Sequence, residues 1–128
     1  MIIEELVGGE VGTCTPSTPI TEAAAHMVAE DVGSLVVMDN VDILGIVTER
    51  DVLRAVAEGQ STKTTPVKAI MTPEPDLLES DVDVREATEW LLAAGYRHLP
   101  VVKEGRLIGM VSMKDLVWAL TEEQQGRG

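Results

Sequence analysis

The sequence has little cysteine, little aromatic character and few basic residues, and each shortage excludes a class of function. The single cysteine, Cys14, forms no internal disulfide, and with two histidines it provides too few ligands for a structural zinc site. Aromatic residues make up 2% of the chain, so there is no stacking platform for single-stranded nucleic acid. Acidic residues outnumber basic ones 22 to 10, and the net charge of −12 argues against nucleic acids and anionic membranes as partners.

Long apolar runs and an export signal are also missing. No apolar run reaches the ~18 residues that a membrane-spanning helix needs, and residues 1–5 are acidic where a signal peptide is basic. We therefore expect a cytoplasmic protein. With 128 residues, 45% of them apolar, the chain is long enough for one domain, or two very small ones, with a buried core. The surplus of carboxylates indicates either a solvated surface that maintains solubility or adaptation to a salt-rich cytoplasm.

An internal repeat organises the chain. Shifted by 64 residues, the sequence aligns with itself without a gap, and its apolar pattern is preserved. Identical residues at equivalent positions include Ala23 and Ala87, Leu35 and Leu99, Gly45 and Gly109, and Asp51 and Asp115.

Each repeat predicts the order strand, helix, strand, strand, helix. The predicted segments are extended stretches at 11–15 and 75–79, helices that contain Ala23 and Ala87, strands at 34–38, 43–48, 98–102 and 107–112, and closing helices at 51–58 and 115–122. Thr18, followed by Pro19, predicts the N-cap of the first helix. The connector 59–66 is polar and predicts a loop.

We therefore expect an α+β fold, in which two β-α-β-β-α units of α/β type pack with internal pseudo-twofold symmetry. One unit of about 50 residues is marginal alone, whereas two bury their apolar faces together. The expected boundaries are 1–60 for repeat 1, 61–66 for a linker, 67–122 for repeat 2 and 123–128 for a flexible tail.

One motif occurs at the same place in both repeats. A strand glycine precedes a hydroxyl by three residues, and an aspartate follows after three more, as in Gly45, Thr48 and Asp51. The hydroxyl and free helix N–H groups suit phosphate oxygens, the carboxylate suits both ribose hydroxyls, and the glycine allows a backbone or ligand to approach. For a single copy, a capping box, which needs no ligand, is the better explanation of the Ser/Thr-x-x-Asp spacing. The second copy, at Gly109, Ser112 and Asp115, favours the nucleotide interpretation.

With these pieces, residues 3–120 resemble a tandem pair of CBS domains, a Bateman module. The resemblance rests on Leu35-Val-Val with Gly45-Ile-Val-Thr-x-x-Asp51, and on Leu99-Pro-Val with Gly109-Met-Val-Ser-x-x-Asp115. It implies a free-standing module that binds an adenosyl ligand (AMP, ADP, ATP or S-adenosylmethionine) in clefts between the repeats. It also implies a homodimer that regulates an effector protein of unknown identity.

The resemblance also implies the residues of two clefts. Cleft one combines Thr18, Ala23, Val32, Gly33 and Ser34 with Ser112, Lys114 and Asp115. Cleft two combines Val82, Ala87, Tyr96, Arg97 and His98 with Thr48, Arg50 and Asp51.

The two clefts differ in charge. Arg50, Arg97 and His98 favour cleft two for phosphorylated ligands, although the Arg-His order is reversed relative to energy-sensing members of the family. Cleft one, with Lys114, is expected to take a less charged or weaker ligand. Val82 stands where cleft one has Thr18, which removes one polar contact from cleft two. A Mg²⁺ ion would help so acidic a protein hold a polyphosphate.

Other residue types predict packing rather than chemistry. His26 and Trp90 are equivalent in the repeat and are interpreted as packing residues or part of a dimer face, and Trp118 as a packing residue. Cys14 has no basic neighbour in the sequence and is interpreted as a small buried residue. No catalytic constellation, P-loop or dinucleotide fingerprint occurs, so we do not expect an enzyme. The alternative to a ligand sensor is a dimerisation or docking module with vestigial clefts.

Overall fold

The computed structural model describes residues 1–8 and 11–126, and it divides them into two compact units. The first-repeat unit is Val11–Pro75. The second-repeat unit joins residues 1–8 to residues 76–126. The boundary between the units therefore does not coincide with the start of either sequence repeat, because the first residues of the chain pack with the second repeat.

The first-repeat unit contains four strands and two helices. In chain order they are β1 (Thr13–Cys14), α1 (Ile20–Glu30), β2 (Ser34–Asp39), β3 (Asp42–Thr48), α2 (Glu49–Ala57) and β4 (Thr72–Pro73), with a 3₁₀ turn at Val67–Ala69 before β4. The sheet order is β1-β2-β3-β4, in which β1 is parallel to β2 and the other pairs are antiparallel.

Burial explains why these segments form strands and helices. Strand β2 is buried along Ser34–Val37, and Leu35 and Val37 share a core with residues of α1. Helix α1 places its buried residues on one face at a spacing of three and four. The core of the unit consists of Ala23, Met27, Leu35, Val37, Val47 and Val67.

The second-repeat unit repeats this plan with three strands. After a 3₁₀ turn at Ile3–Glu5, its strands and helices are, in chain order, β5 (Leu78–Glu79), α3 (Val84–Ala94), β6 (His98–Lys103), β7 (Arg106–Ser112) and α4 (Met113–Gly126). Strand β5 is parallel to β6, which is antiparallel to β7. The core consists of Ile3, Leu78, Val84, Ala87, Leu91, Leu99, Val101, Val111, Leu116 and Ala119.

Two equivalent straps complete the units. We call residues 1–7 the N-terminal strap and residues 65–71 the connector strap, and they differ by the repeat offset of 64. Ile3 N–H donates to Val82 O, and Val67 N–H donates to Thr18 O, at 2.9 and 2.8 Å. Ile3 and Val67 are both fully buried. Each strap thus adds a buried residue to the unit that holds the other repeat's helices and strands.

The predicted elements are present, with changes at their ends. Helices α2 and α4 begin two residues earlier than predicted, and α4 continues to Gly126. Strand β4 was not predicted. The prediction that Thr18 caps the first helix is wrong by one residue, because the N-cap is Pro19 and Thr18 Oγ1 instead accepts from Thr15 N–H at 3.1 Å. The amides of Ile20 and Thr21 donate to carbonyls of the connector at Thr65 and Thr62.

Candidate functional site

The first Ser/Thr–Asp turn lies where β3 ends and α2 begins. Asp51 Oδ2 accepts from Thr48 N–H at 2.8 Å and from Thr48 Oγ1 at 3.0 Å, and Asp51 N–H donates to Thr48 Oγ1 at 3.2 Å. This is a complete capping box. The hydroxyl that was predicted to bind phosphate therefore donates to the aspartate.

The second turn, between β7 and α4, has the same geometry. Asp115 Oδ2 accepts from Ser112 N–H at 3.0 Å and from Ser112 Oγ at 2.9 Å, and Asp115 N–H donates to Ser112 Oγ at 3.2 Å. In both turns one carboxylate oxygen, Oδ2, stabilises the helix start. The other oxygen, Oδ1, makes no hydrogen bond with any described residue.

The helix-start amides are also partly used. Glu49 N–H donates to Gly33 O at 2.9 Å, and Met113 N–H donates to Arg97 O at 3.1 Å. Within the described chain, this leaves the amides of Arg50 and Lys114 as the helix-start donors that have no acceptor. Each turn therefore offers one N–H donor, one carboxylate oxygen and the exposed side chain of a basic residue.

The two strand glycines are explained by packing within the protein. A Cβ on Gly109 would lie 2.5 Å from Val7 Cβ of the N-terminal strap. A Cβ on Gly45 would lie 2.6 Å from Met71 Sδ and 2.7 Å from Thr72 O. The prediction that a backbone or ligand approaches the glycine is correct, and the approaching groups belong to the protein: Val7 and Met71 of the straps and the backbone of Thr72. The glycines therefore do not distinguish a nucleotide site from a capping box.

Residues assigned to the two clefts are neighbours within each unit. Ser34 of cleft one pairs with Thr48 of cleft two across β2 and β3, and His98 pairs with Ser112 across β6 and β7. Gly33 is joined to α2 by its carbonyl, as described above. Val32 is exposed and lies between α1 and β2. The sequence-based grouping into clefts stays a prediction.

The residues near the first helix of each repeat have different surroundings. The side chains of Ala23 and Ala87 lie in the cores of their units and expose 1% and 0% of their surface. Thr18 and Val82 are partly buried, and both backbones accept hydrogen bonds from a strap. The alanine side chains therefore serve packing, and the polar group that distinguishes these positions is the Thr18 hydroxyl.

The side chains around the start of β6 differ in how accessible they are to a ligand. The Tyr96 hydroxyl donates to Asp76 Oδ2, and the Tyr96 ring packs edge-on against Trp90 with 6.0 Å between ring centroids. Arg97 is exposed and His98 is partly buried. Tyr96 is thus already engaged by protein groups, whereas the guanidinium of Arg97 is accessible to solvent.

A charged residue missed by the sequence analysis lies one turn into α2. Arg54 Nη1 is 3.7 Å from Asp51 Oδ1, and the two side chains are 61% and 12% exposed. The equivalent of Arg54 in the second repeat is Trp118, which is 59% exposed, so its interpretation as a packing residue is wrong. The i, i+3 spacing from Asp51 on a helix was the signal that identifies Arg54.

Comparison with known proteins decides the family. A family model of the CBS domain matches residues 3–58 and again residues 67–122. The chain belongs to the CBS-domain family. The family copies start at the straps, which shows that each CBS copy in the sequence contributes its first residues to the unit of the other copy.

Individual relatives agree with this assignment. An uncharacterised 17.7 kDa protein of Acidianus ambivalens is 35% identical over 122 residues, which cover 94% of this CBS chain and 73% of that protein. The structure of a protein with CBS domains from Burkholderia ambifaria matches with a TM-score of 0.90 and 33% identity, covering 97% of this chain and 96% of its own. A CBS domain protein from Pyrobaculum aerophilum, solved in complex with AMP, matches with a TM-score of 0.84 and 25% identity, covering 95% and 99%.

Among residues 1–8 and 11–126, no group of three or more His, Cys, Asp or Glu side chains is placed to hold a metal ion. Over the same residues, no helix combines the length and the apolar character required to cross a bilayer.

Proposed function

We propose that this CBS pair is a regulatory, non-catalytic module that binds an adenine nucleotide of the AMP, ADP or ATP class. In this proposal the two Ser/Thr–Asp turns hold the ligand, and ligand binding changes the affinity for an effector protein. The observation that carries the proposal is the pair of turns, in each of which an aspartate Oδ1 makes no hydrogen bond and a helix-start amide has no acceptor among the described residues. The AMP bound by the Pyrobaculum aerophilum relative supports the ligand class.

The chemistry of each turn fits the parts of a nucleotide. An ionised carboxylate accepts hydrogen bonds from hydroxyls, so Oδ1 of Asp51 or Asp115 suits a ribose hydroxyl while Oδ2 keeps its capping role. The amide of Arg50 or Lys114 at a helix start, together with the basic side chain, suits a phosphate oxygen. Mg²⁺ would enter with ADP or ATP as part of the ligand. The assignment of cleft two, with Arg50 and Arg97, to phosphorylated ligands remains part of this proposal.

The test is calorimetric titration of AMP, ADP, ATP and S-adenosylmethionine into the wild type, Asp51→Asn and Asp115→Asn. Asparagine keeps an oxygen that accepts the capping hydrogen bonds but loses the charge and the second acceptor. Losing a hydrogen bond to a charged group costs about 1.5–3 kcal/mol, so we expect the Kd of the affected turn to rise about tenfold to hundredfold.

Matched controls remove one exposed negative charge elsewhere on the same helices. Glu49→Gln in α2 and Glu122→Gln in α4 change the net charge equally and leave both boxes intact. They should leave the Kd within about twofold. Absence of binding by the folded wild type, or equal loss in the controls, would overturn the proposal.

Exposed apolar side chains favour a second candidate function, that of a homodimerisation module. Val28 of α1 and Leu53 of α2 are exposed in the first-repeat unit, and the equivalent Leu92 of α3 and Val117 of α4 are exposed in the second. Such faces suit burial against a second copy of the chain. Sedimentation velocity should show dimers for the wild type and monomers for Leu53→Glu with Val117→Glu. Val41→Glu, an exposed apolar residue in a turn, is the control that should stay dimeric.

A further inference from the structure

The two Ser/Thr–Asp turns are chemically unequal, and the difference lies one helical turn beyond each aspartate. In α2, the Arg54 guanidinium lies 3.7 Å from Asp51 Oδ1. In α4, the equivalent residue is Trp118, and Asp115 forms no ion pair with any described residue. The oxygen that is unused in both capping boxes is therefore partly neutralised in one turn and not in the other.

We infer that Arg54 makes the Asp51 turn the weaker acceptor for a ribose diol, and that Trp118 leaves the Asp115 turn the stronger one. At 3.7 Å the Arg54–Asp51 contact is too long for a hydrogen bond, so it acts through charge. A nearby cation reduces the negative potential at Oδ1 and competes with hydroxyl donors for it. This inference rests on the proposed function and adds a residue that sets the relative affinity of its two turns.

The difference in solvent exposure between the two aspartates also favours the Asp115 turn as the stronger acceptor. The Asp51 side chain is 12% exposed, so a ligand hydroxyl has little access to its carboxylate. Asp115, in contrast, is an exposed residue. Phosphate attraction is a separate effect, because it depends on Arg50 and Lys114. A ligand without phosphate therefore isolates the contribution of Arg54.

The probe is adenosine, which carries the ribose diol but no charge. We expect adenosine to bind with a lower Kd at the Asp115 turn, so that Asp115→Asn removes the tighter phase and Asp51→Asn the weaker one. Reciprocal exchange of the two residues provides the decisive variants. Arg54→Trp should lower the Kd of the Asp51 turn about two- to fivefold, the range expected for an exposed ion pair, and Trp118→Arg should raise that of the Asp115 turn similarly.

A conservative variant and a salt series separate charge from shape. Arg54→Lys keeps the cation and should behave as the wild type, whereas Arg54→Gln should behave as Arg54→Trp. Salt screens the Arg54–Asp51 pair but not an uncharged ligand, so adenosine should bind the Asp51 turn more tightly as salt increases. Its binding to the Asp115 turn should not change.

The possible failures are distinguishable. If no adenosyl compound binds the folded wild type, the proposed function itself is wrong. If AMP binding depends on Asp51 and Asp115 but the exchanges leave the adenosine affinities unchanged, only the role of Arg54 is overturned. Tighter adenosine binding in Trp118→Arg would also contradict the inference, because it would mean that a cation at this position helps the ligand.

Discussion

At Gly109, the choice of residue in this CBS pair is explained by packing within the protein and not by contact with a ligand. A Cβ at this position would lie 2.5 Å from Cβ of Val7 in the N-terminal strap, which is closer than Cβ atoms approach other heavy atoms in proteins. We expect Gly109→Ala to reduce the free energy of unfolding by about 1–3 kcal/mol, as overpacking does. Gly8→Ala, with nothing within 4 Å of its Cβ, should change it by less than about 0.5 kcal/mol. Urea denaturation measures both, and equal effects would contradict the packing explanation.

Cys14 provides a prediction about pH. Partial burial, with a smaller contribution from the negative charge of Glu22, raises the pKa of the Cys14 thiol from 9.0 to about 11. The native thiol should therefore react with iodoacetamide at pH 8 about 100-fold more slowly than in the urea-unfolded chain, since only the thiolate reacts. Stability should also fall as the pH rises from 9 to 11, because the unfolded chain releases this proton first. Equal alkylation rates in the two states would show that the thiol is unperturbed.

At the scale of elements, the two equivalent helices α1 and α3 end in different ways. Both end on a residue in the left-handed conformation, which is Asp31 (φ 54°) after α1 and Gly95 (φ 75°) after α3. Glycine adopts this conformation without a steric cost, and an aspartate at a helix C-terminus also opposes the helix dipole. We expect Asp31→Gly to raise the free energy of unfolding by about 0.5–1 kcal/mol, and Gly95→Asp to lower it similarly.

Asp31→Asn is the control that separates the two causes. Asparagine tolerates the left-handed conformation and removes the charge, so any gain it gives reports the helix dipole alone. Thermal and urea unfolding of the three variants decide the matter. A loss of stability in Asp31→Gly would contradict the conformational argument.

Much of this element structure could be predicted from the sequence because the repeat supplied two copies of each signal. The β-branched runs joined by polar turns located β2, β3, β6 and β7, and the Ser/Thr-x-x-Asp spacing placed the starts of α2 and α4 to within two residues. Strand β4 could not be predicted, because Thr72–Pro73 has no alternating pattern and pairs only through its backbone with β3. The close approach at Gly45 could be predicted, but its neighbour Met71 could not, because Met71 is remote in sequence.

At the scale of the whole molecule, the sequence repeats and the structural units are not the same division of the chain. The family copies begin at residues 3 and 67, whereas residues 1–8 pack with 76–126 and residues 65–73 with 11–57. Sequence periodicity reports equivalence between segments but not which copy of a segment packs on which core. The expected linker at 61–66 was a prediction about the repeat, and it gave no information about the straps.

Because each strap packs in the unit that holds the other repeat's helices and strands, a mutation in a strap should destabilise that unit. Ile3→Ala should cost about 2–5 kcal/mol, because Ile3 is fully buried, and the increase in hydrogen exchange should fall within residues 76–126. Val67→Ala, the equivalent change, should cost less and increase exchange within residues 11–57. Mass spectrometry of the exchanged peptides locates both effects. Increased exchange of the same peptides in both variants would contradict the assignment of the straps.

The central claim is that the two Ser/Thr–Asp turns hold an adenine nucleotide, and the most direct test is an NMR titration of the backbone amides with AMP. The amides of Arg50 and Lys114 have no acceptor among the described residues, so a bound phosphate should give them one. We predict saturable shifts and slowed hydrogen exchange at Arg50, Lys114 or both, lost in Asp51→Asn and Asp115→Asn respectively. AMP saturation that moves other amides and leaves these two unchanged, or no shift in the folded protein, would contradict the account.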